Sequence, residues 1–562
     1  MSPLMRCLAC ALLCVVGEAV EDGGAATGAS RQLRGFASSA SASEDGGAIQ
    51  VWPQPARWSR GETVLPVEAG PTFFRTASKV APLHDAFERY TRLIFQHKTA
   101  DTPGKQDDIL RGVEVHVDDD AEDIPQLGMD ESYALSVGAN GSAKISAKTL
   151  FGAYRGLETF SQLVIFDFET GVYVLPGAPW EIEDTPRFPH RGLMIDTSRH
   201  YLPLASIYSI IDSLTYAKLN VLHWHISDDT SFPLQSKTSP KLWEGAYSPG
   251  ERYTQEDVKE VVMYAARRAI RVVPEFDMPG HSTSWCTGYP ELCPSATCKQ
   301  PLNVASNKTW GVIEGLMDEV TGGHRSEPAK PSGLWPENFL HLGGDEVNTD
   351  CWSKTPSIQK WLDERGMTAK DGYKYFTKRA AELALARGRR PMQWSEVFDN
   401  FKGDLPAGTV VHIWKADTSV LEVVKLGYDV VLNVGYNARS WYLDNLNVKW
   451  DSVYTNEPCA QLPTDKLCSK VLGGHGEMWG ETVDASDLQQ TVWPRLAAIA
   501  EKLWSPKAVT ADPSAALPRI QRFRCLLLER GVAAAPVALT GRATPPHPAG
   551  CASLYDQPLL TI

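Results

Sequence analysis

The chain has 562 residues, too many for one small core, so two folded domains with a tail are expected. Its 55 Lys plus Arg against 68 Asp plus Glu give a net charge of −13, which argues against a nucleic-acid binder that relies on bulk positive charge. After the first residues no stretch reaches the roughly 20 apolar residues of a membrane span.

At the N-terminus Arg6 precedes the apolar run Cys7 to Val16, and Gly17-Glu18-Ala19 offers small residues for cleavage. Residues 1–19 read as a secretory signal peptide, too short for a transmembrane helix. Its removal takes Cys7, Cys10 and Cys14 and leaves eight cysteines: Cys286, Cys293, Cys298, Cys351, Cys459, Cys468, Cys525 and Cys551. An even number in an exported chain favours disulfides over metal ligation, and local spacing suggests Cys459 with Cys468 and Cys525 with Cys551. Asn140-Gly141-Ser142 and Asn307-Lys308-Thr309 are glycosylation sequons that fit the same route. Residues 20–48, rich in Ser, Ala, Gly and acidic residues, read as a disordered pro-segment or linker. They include Arg31-Gln32-Leu33-Arg34, similar to an Arg-x-Leu-Arg translocation signal, a four-residue match that low-complexity sequence produces readily by chance.

Residues 49–186 have the pattern of a small α+β accessory domain. Leu83, Phe87, Tyr90 and Ile94 make one helix face; Val113, Val115 and Val117, then Tyr133, Leu135 and Val137, alternate as half-buried strands; a second helix runs from Phe151 to about Ile165. From 187 to 562 the rhythm becomes strand, then helix, repeated. Strands are expected at Gly192–Asp196, Asn220–Ile226, Ile270–Phe276, Phe339–Leu342, Pro391–Trp394, Val410–Trp414, Val430–Val434 and Val471–Gly473. Ile207, Ile210, Ile211 and Leu214 form a helix stripe, and Thr254-x-x-Asp257 caps a helix that buries Val258, Val261, Val262 and Ala265. Eight strands alternating with helices over roughly 370 residues is the pattern of a (β/α)8 barrel with insertions and a C-terminal extension. A doubly wound sheet is the structural alternative, but no Gly-rich phosphate fingerprint follows the first strand.

A barrel places its reactive groups just after its strands. Arg199 follows the first; His225 and Asp228 the second; Asp277 and His281 the third; and Asp345 and Glu346 the fourth, after the apolar lead-in and glycines of His341-Leu342-Gly343-Gly344. Trp394, Trp414, the Trp441-Tyr442-Leu443-Asp444 run, and Trp479 with Glu481 follow the rest. Any one of these is more often packing or capping; recurrence after all eight strands points to a site. Flat tryptophans with charged hydrogen-bonding groups suit a sugar ring, and two carboxylates suit glycosidic cleavage. Side-by-side burial would push one carboxyl of the Asp345–Glu346 pair toward protonation and leave the other ionised. His223 and His225 alternate on a strand, but nothing completes a known metal-ligand spacing, and no Gly-x-Ser-x-Gly elbow supports a serine hydrolase.

The motifs resemble those of the glycoside hydrolase family 20 β-N-acetylhexosaminidases, with wording closest to plant and other eukaryotic members. The resemblance rests on His190-Arg191-Gly192 with Asp196 to Tyr201, Leu222-His223-Trp224-His225, Pro274 to Asp277 with Pro279-Gly280-His281, and His341 to Glu346. It continues through Trp394 to Val397, Trp441 to Asp444, Trp479-Gly480-Glu481 and Trp493-Pro494-Arg495. Trp52 to Pro55 and Arg155 to Phe160 are similar to the family's accessory domain, so nearly the whole mature chain is covered. It departs at Gly473-Gly474-His475-Gly476-Glu477, where many relatives have Gly-Gly-Glu.

The resemblance implies a substrate-assisted mechanism in which Glu346 is the general acid and base. Asp345 would orient the acetamido N–H, and Tyr442 would hold its oxygen. Trp394, Trp414 and Trp479 would wall the pocket; Arg199 would take the 3- and 4-hydroxyls, Asp444 and Glu481 the 4- and 6-hydroxyls. Asp228 and His281 would orient Glu346, with Asp277 and His225 nearby. It also implies a Cys298–Cys351 disulfide, leaving Cys286 with Cys293. The partners implied are N-acetylhexosamine-terminated glycans or chitooligosaccharides, with no metal or cofactor, and relatives often dimerise through the barrel, so a homodimer is compatible. The destination is extracellular or a lysosome- or vacuole-like compartment. The rivals are a lectin-like binder, which has no need of the acid, and an endo-chitinase, which would want an open groove.

Overall fold

The computed structural model describes residues 49–99, 109–323, 332–433 and 441–537. The leader, the 20–48 segment with its Arg31–Arg34 motif, Val434 and Cys551 lie outside them.

The N-terminal part is a seven-stranded sheet carrying two helices on one face. In chain order come β1 (Arg57–Val67), β2 (Phe74–Arg75), α1 (Ala81–Ile94), β3 (Val113–Asp119), β4 (Tyr133–Val137), β5 (Ala143–Thr149), α2 (Leu150–Leu163), β6 (Ile165–Asp167) and β7 (Val172–Asp184). The spatial order is β1-β7-β4-β5-β3-β2, with β6 on β7. Leu83, Phe87, Tyr90 and Ile94 are the buried face of α1, as their spacing requires. The two longest strands, β1 and β7, are absent from the sequence reading. The β1 pattern is mostly exposed, and Pro176, Gly177 and Pro179 punctuate β7 like a loop.

The second part is a closed barrel of eight parallel strands: β8 (His190–Asp196), β9 (Val221–Ser227), β10 (Arg271–Phe276), β11 (Phe339–His341), β12 (Arg390–Trp394), β13 (Val410–Ile413), β14 (Asp429–Leu432) and β15 (Val471–Met478). Each falls on an expected strand, with β15 five residues longer at its C-terminal end. Helix α3 (Leu204–Tyr216) carries the Ile207 to Leu214 stripe, and α4 (Gln255–Ala266) begins with a full Thr254–Asp257 capping box. The lowest interior layer is apolar, built from Val221, Val273, Phe339, Met392, Val410, Val431 and Leu472, with Leu127 of the accessory part packed against it. Above that layer the barrel interior is polar, holding buried His223, Glu275, His341, His412, His475 and Glu477.

The accessory sheet closes the barrel at the strands' N-terminal ends. Helix α2 is buried all round because one face meets the sheet and the other the barrel. Arg155 donates to Glu131 (2.9 Å) and to the carbonyls of Leu219 and Ala269 (3.1 Å each). Arg191 reaches the same Glu131 at 2.7 Å, and Lys218 donates to Asp184 (2.9 Å) and the Tyr133 hydroxyl (2.8 Å). These ions are desolvated, so removing one partner leaves a buried charge, a loss of about 3–5 kcal/mol. The opposite, C-terminal face stays free for chemistry.

Candidate active site

The fourth strand ends in a backbone that only glycine permits. Gly343 and Gly344 have φ of 62° and 96°. A Cβ on Gly343 would stand 1.8 Å from Asp277 Oδ1, and one on Gly344 2.6 Å from Val397 Cγ2. The freed Gly344 N–H donates to Asp277 Oδ1 at 2.9 Å, and the Tyr373 hydroxyl donates to the Gly344 carbonyl. Asp345 is thereby turned inward, 8 % exposed, whereas the Glu346 side chain is 61 % exposed on a residue with φ of 48°.

This separation changes the expected pairing. The carboxyl that shares a hydrogen bond with Asp345 is Asp277, not its neighbour Glu346. Burial raises both Asp277 and Asp345. Both also face the cation at His281 and the charge of Glu275, and Asp277 is raised further because it faces the charge of Asp345 as well, while Asp345 is eased by its contact with Asp277. Of the two, Asp277 is the one held more strongly toward its neutral form. Asp345 Oδ1 is buried with no hydrogen-bond partner among the described residues.

A chain of charged contacts leads from the barrel interior to both carboxylates. Glu275 Oε2 meets His225 Nδ1 at 2.8 Å, His225 Nε2 meets Asp228 Oδ2 at 2.9 Å, and Asp228 Oδ1 meets His281 Nδ1 at 3.2 Å. His281 Nε2 then faces Glu346 Oε2 at 3.5 Å and Asp345 Oδ2 at 3.7 Å. Burial alone would lower His281, but the Asp228 hydrogen bond and the surrounding carboxylates push it up to about 11. It is an imidazolium held between the two groups. Asp228 is held below the usual carboxyl range by its two histidines, against the pull of burial.

The remaining expected residues ring the same face. Burial would lower Arg199, but Asp196 (3.0 Å) and Asp228 (2.8 Å) raise it, and its guanidinium lies 5.0 Å from the Trp479 ring centroid with Glu481 3.9 Å away. Trp441–Leu443 makes a single parallel bridge to β15, with Glu477 N–H donating to the Trp441 carbonyl and Leu443 N–H to the Glu477 carbonyl. That fixes half-buried Tyr442 opposite Trp414, at 6.5 Å and 81°. Asp444 is pushed up to about 6 by burial, eased by its backbone hydrogen bonds and raised again by Glu481. Trp394 is 1 % exposed, donates to Glu275 at 2.8 Å, and is covered by His412 at 4.1 Å and Trp479 at 5.9 Å. Trp394 is thus shut off from solvent beneath Trp479, whereas Trp414 and Trp479 are half-buried.

Sequence comparison gives the same answer as the geometry. Residues 188–507 match the glycosyl hydrolase family 20 catalytic domain, and residues 51–163 match a β-acetyl hexosaminidase-like domain. The chain belongs to glycosyl hydrolase family 20. It is 44 % identical to β-hexosaminidase 1 of Arabidopsis thaliana over 89 % of this chain and 94 % of that one. It is 37 % identical to the bovine β-hexosaminidase subunit alpha over 88 % and 95 %. Among solved structures, the family 20 chitobiase of Flavobacterium johnsoniae superposes with a TM-score of 0.74 at 30 % identity, covering 86 % of this chain and 73 % of that one.

Within this family 20 chain, sequence reasoning passed over three groups. Glu275, fully buried, joins His223, His225, His341 and Trp394 beneath the pocket. Strand alternation puts Glu275 on the same face as Val273 and Asp277, and that was the available signal. His341, read as part of the catalytic run, instead points into the interior, 3.1 Å from Glu275 and 3.2 Å from His412. Glu396 stands in the quoted Trp394–Val397 motif. It accepts from the Trp414 indole at 2.6 Å and is pushed up to about 7 by burial and by the charge of Asp345. Three disulfides close Cys286–Cys293, Cys298–Cys351 and Cys459–Cys468, and Cys525 is also disulfide-bonded.

Proposed function

We propose that this glycoside hydrolase is an exo-acting β-N-acetylhexosaminidase that removes terminal GlcNAc or GalNAc with retention, using the substrate's acetamide as nucleophile. One observation carries the reading. Two adjacent carboxylates have opposite settings: Asp345 is buried beside Asp277 and His281, while Glu346 reaches out beside the same His281.

In this reading Glu346 gives its proton to the glycosidic oxygen as the acetamido carbonyl oxygen attacks C1 and the alcohol leaves. The resulting oxazolinium carries positive charge at nitrogen, and Asp345 accepts its N–H while Tyr442 donates to the acetamido oxygen. Glu346, now a carboxylate, takes a proton from water, which adds to C1 on the face the leaving group vacated and reopens the ring. Asp228 and His281 hold Glu346 in position. Arg199, Asp444 and Glu481 bind the sugar's outer hydroxyls, and Trp394, Trp414 and Trp479 support its apolar faces. A site closed by charged side chains around one sugar suits glycan termini and chitooligosaccharides rather than chain interiors.

Residues 1–19 would direct the chain into the secretory pathway, a route that suits its disulfides and the exposed Asn140 and Asn307. Its destination would be the exterior or a lysosome- or vacuole-like compartment. The deciding experiment is hydrolysis of matched aryl β-glycosides of GlcNAc, GalNAc and glucose, with chitobiose alongside. Fast cleavage of the glucoside, which lacks the acetamide, would refute substrate assistance.

A further inference from the structure

The polar layer inside the barrel contains a cluster that the pocket chemistry leaves unused. His223 on β9, His412 on β13 and His475 on β15 are 1 %, 0 % and 0 % exposed, and one ring nitrogen of each lies within 4.8 Å of those of the other two. Both ring nitrogens of His223 and His475, and Nε2 of His412, have no hydrogen-bond partner among the described residues. Beside them Glu477 Oε1 is 3.0 Å from His475 Nδ1 and 3.2 Å from His412 Nε2, ion-pair contacts whose directions fall short of well-formed hydrogen bonds. His223 Nε2 stands off-direction in the same way, 2.8 Å from Glu275 Oε2.

Close but misdirected polar atoms are what ligands around a common cation look like. Atoms bound to one tetrahedral zinc at about 2.1 Å are about 3.4 Å apart, and imidazoles radiating from it have centroids about 5 Å apart. The three rings stand 4.5 Å (His412–His475), 5.2 Å (His223–His475) and 5.9 Å (His223–His412) apart, at 70°, 67° and 52°. Among the described residues, well-directed bonds between side chains do not by themselves satisfy this group of fully buried nitrogens and carboxylate oxygens.

We propose that the barrel interior is a structural site for a divalent cation of the zinc class. His223, His412 and His475 are its ligands, and Glu477 supplies negative charge beside two of them. Imidazole ligation selects zinc-like cations over calcium or magnesium, which want oxygen. The site is enclosed, so the ion enters as the barrel closes and is retained. It lies directly under the pocket: His412 stacks on Trp394, so the ion fixes the tryptophan beneath the sugar. A second set, Asp277, His281 and Asp345, also stands close enough to share a cation, but it belongs to the pocket and is already tied together by its own hydrogen bonds and ion pairs.

The test is elemental analysis of the full chain, expressed without a histidine tag in zinc-supplemented medium and dialysed against EDTA. A zinc-sensitive dye then follows thermal unfolding. The expected result is about one zinc per chain, resistant to EDTA while folded and released at the melting transition. The His412→Gln, His475→Gln double variant should lose it, while the Asp277→Asn variant keeps it. Far less than one zinc in the unaltered chain overturns the proposal even if the double variant does not fold, and so does undiminished zinc in a folded double variant.

Discussion

Replacing Asp277 by Asn separates a protonated Asp277 from an ionised one. The introduced carboxamide keeps an oxygen for the Gly344 N–H and gains an N–H donor that can face the Asp345 carboxylate, the two bonds a protonated Asp277 would make. If the proton rests on Asp277, the change preserves charge and costs less than about 1 kcal/mol, under about tenfold in kcat/KM. Asp345→Asn is the reference. It removes a negative charge from a site that is 8 % exposed, where a charged transition-state contact contributes about 3–4 kcal/mol, so kcat should fall by ~10²–10³. Asp277→Leu removes both bonds and should approach the Asp345→Asn loss. The assay is steady-state hydrolysis of an aryl GlcNAc substrate, with a melting curve for each variant. If a folded Asp277→Asn enzyme loses as much as Asp345→Asn, Asp277 is the anion and the assignment of charge fails.

Glu346→Gln should abolish cleavage of substrates with poor leaving groups while an activated aryl substrate still forms the oxazolinium, and equal retention of both would remove Glu346 from the acid role. Asp444, pushed up to about 6, gains its charge as pH rises through that value, so KM should fall across pH 5 to 7 in the native enzyme and stay flat in Asp444→Asn. A flat native profile would contradict its hydroxyl-binding role. Gly343→Ala combines a φ of 62° with a Cβ 1.8 Å from Asp277 Oδ1 and should cost at least about 2 kcal/mol, lowering the melting temperature together with activity. Breaking Cys298–Cys351, whose cysteines are 53 residues apart, should cost about 4 kcal/mol by loop entropy. Cys351 lies in the short helix Asp350–Lys354 that directly follows the Glu346 loop, so kcat should fall as well, whereas unchanged melting would show that the segment is held by other contacts.

What the sequence determined was whatever depends on local order along the chain. The barrel strands are buried on both faces, so they read as short apolar runs, and the glycines at 343 and 344 marked the one place where the backbone had to open before two carboxylates. The α1 stripe and the Thr254 cap were legible for the same reason. The strands β1 and β7 were not, because half-exposed residues and internal prolines imitate loops until the sheet pairs them. Only the tertiary structure decided which groups share a proton or face each other across the barrel. Adjacency in sequence suggested Asp345 with Glu346, but Asp277, from the preceding strand, lies against Asp345 because the Gly343–Gly344 turn swings it inward. His223, His412 and His475 show no ligand spacing along the chain. They converge because barrel closure brings the inward faces of β9, β13 and β15 together, and the enclosed space raises the cost of every polar atom left without a partner.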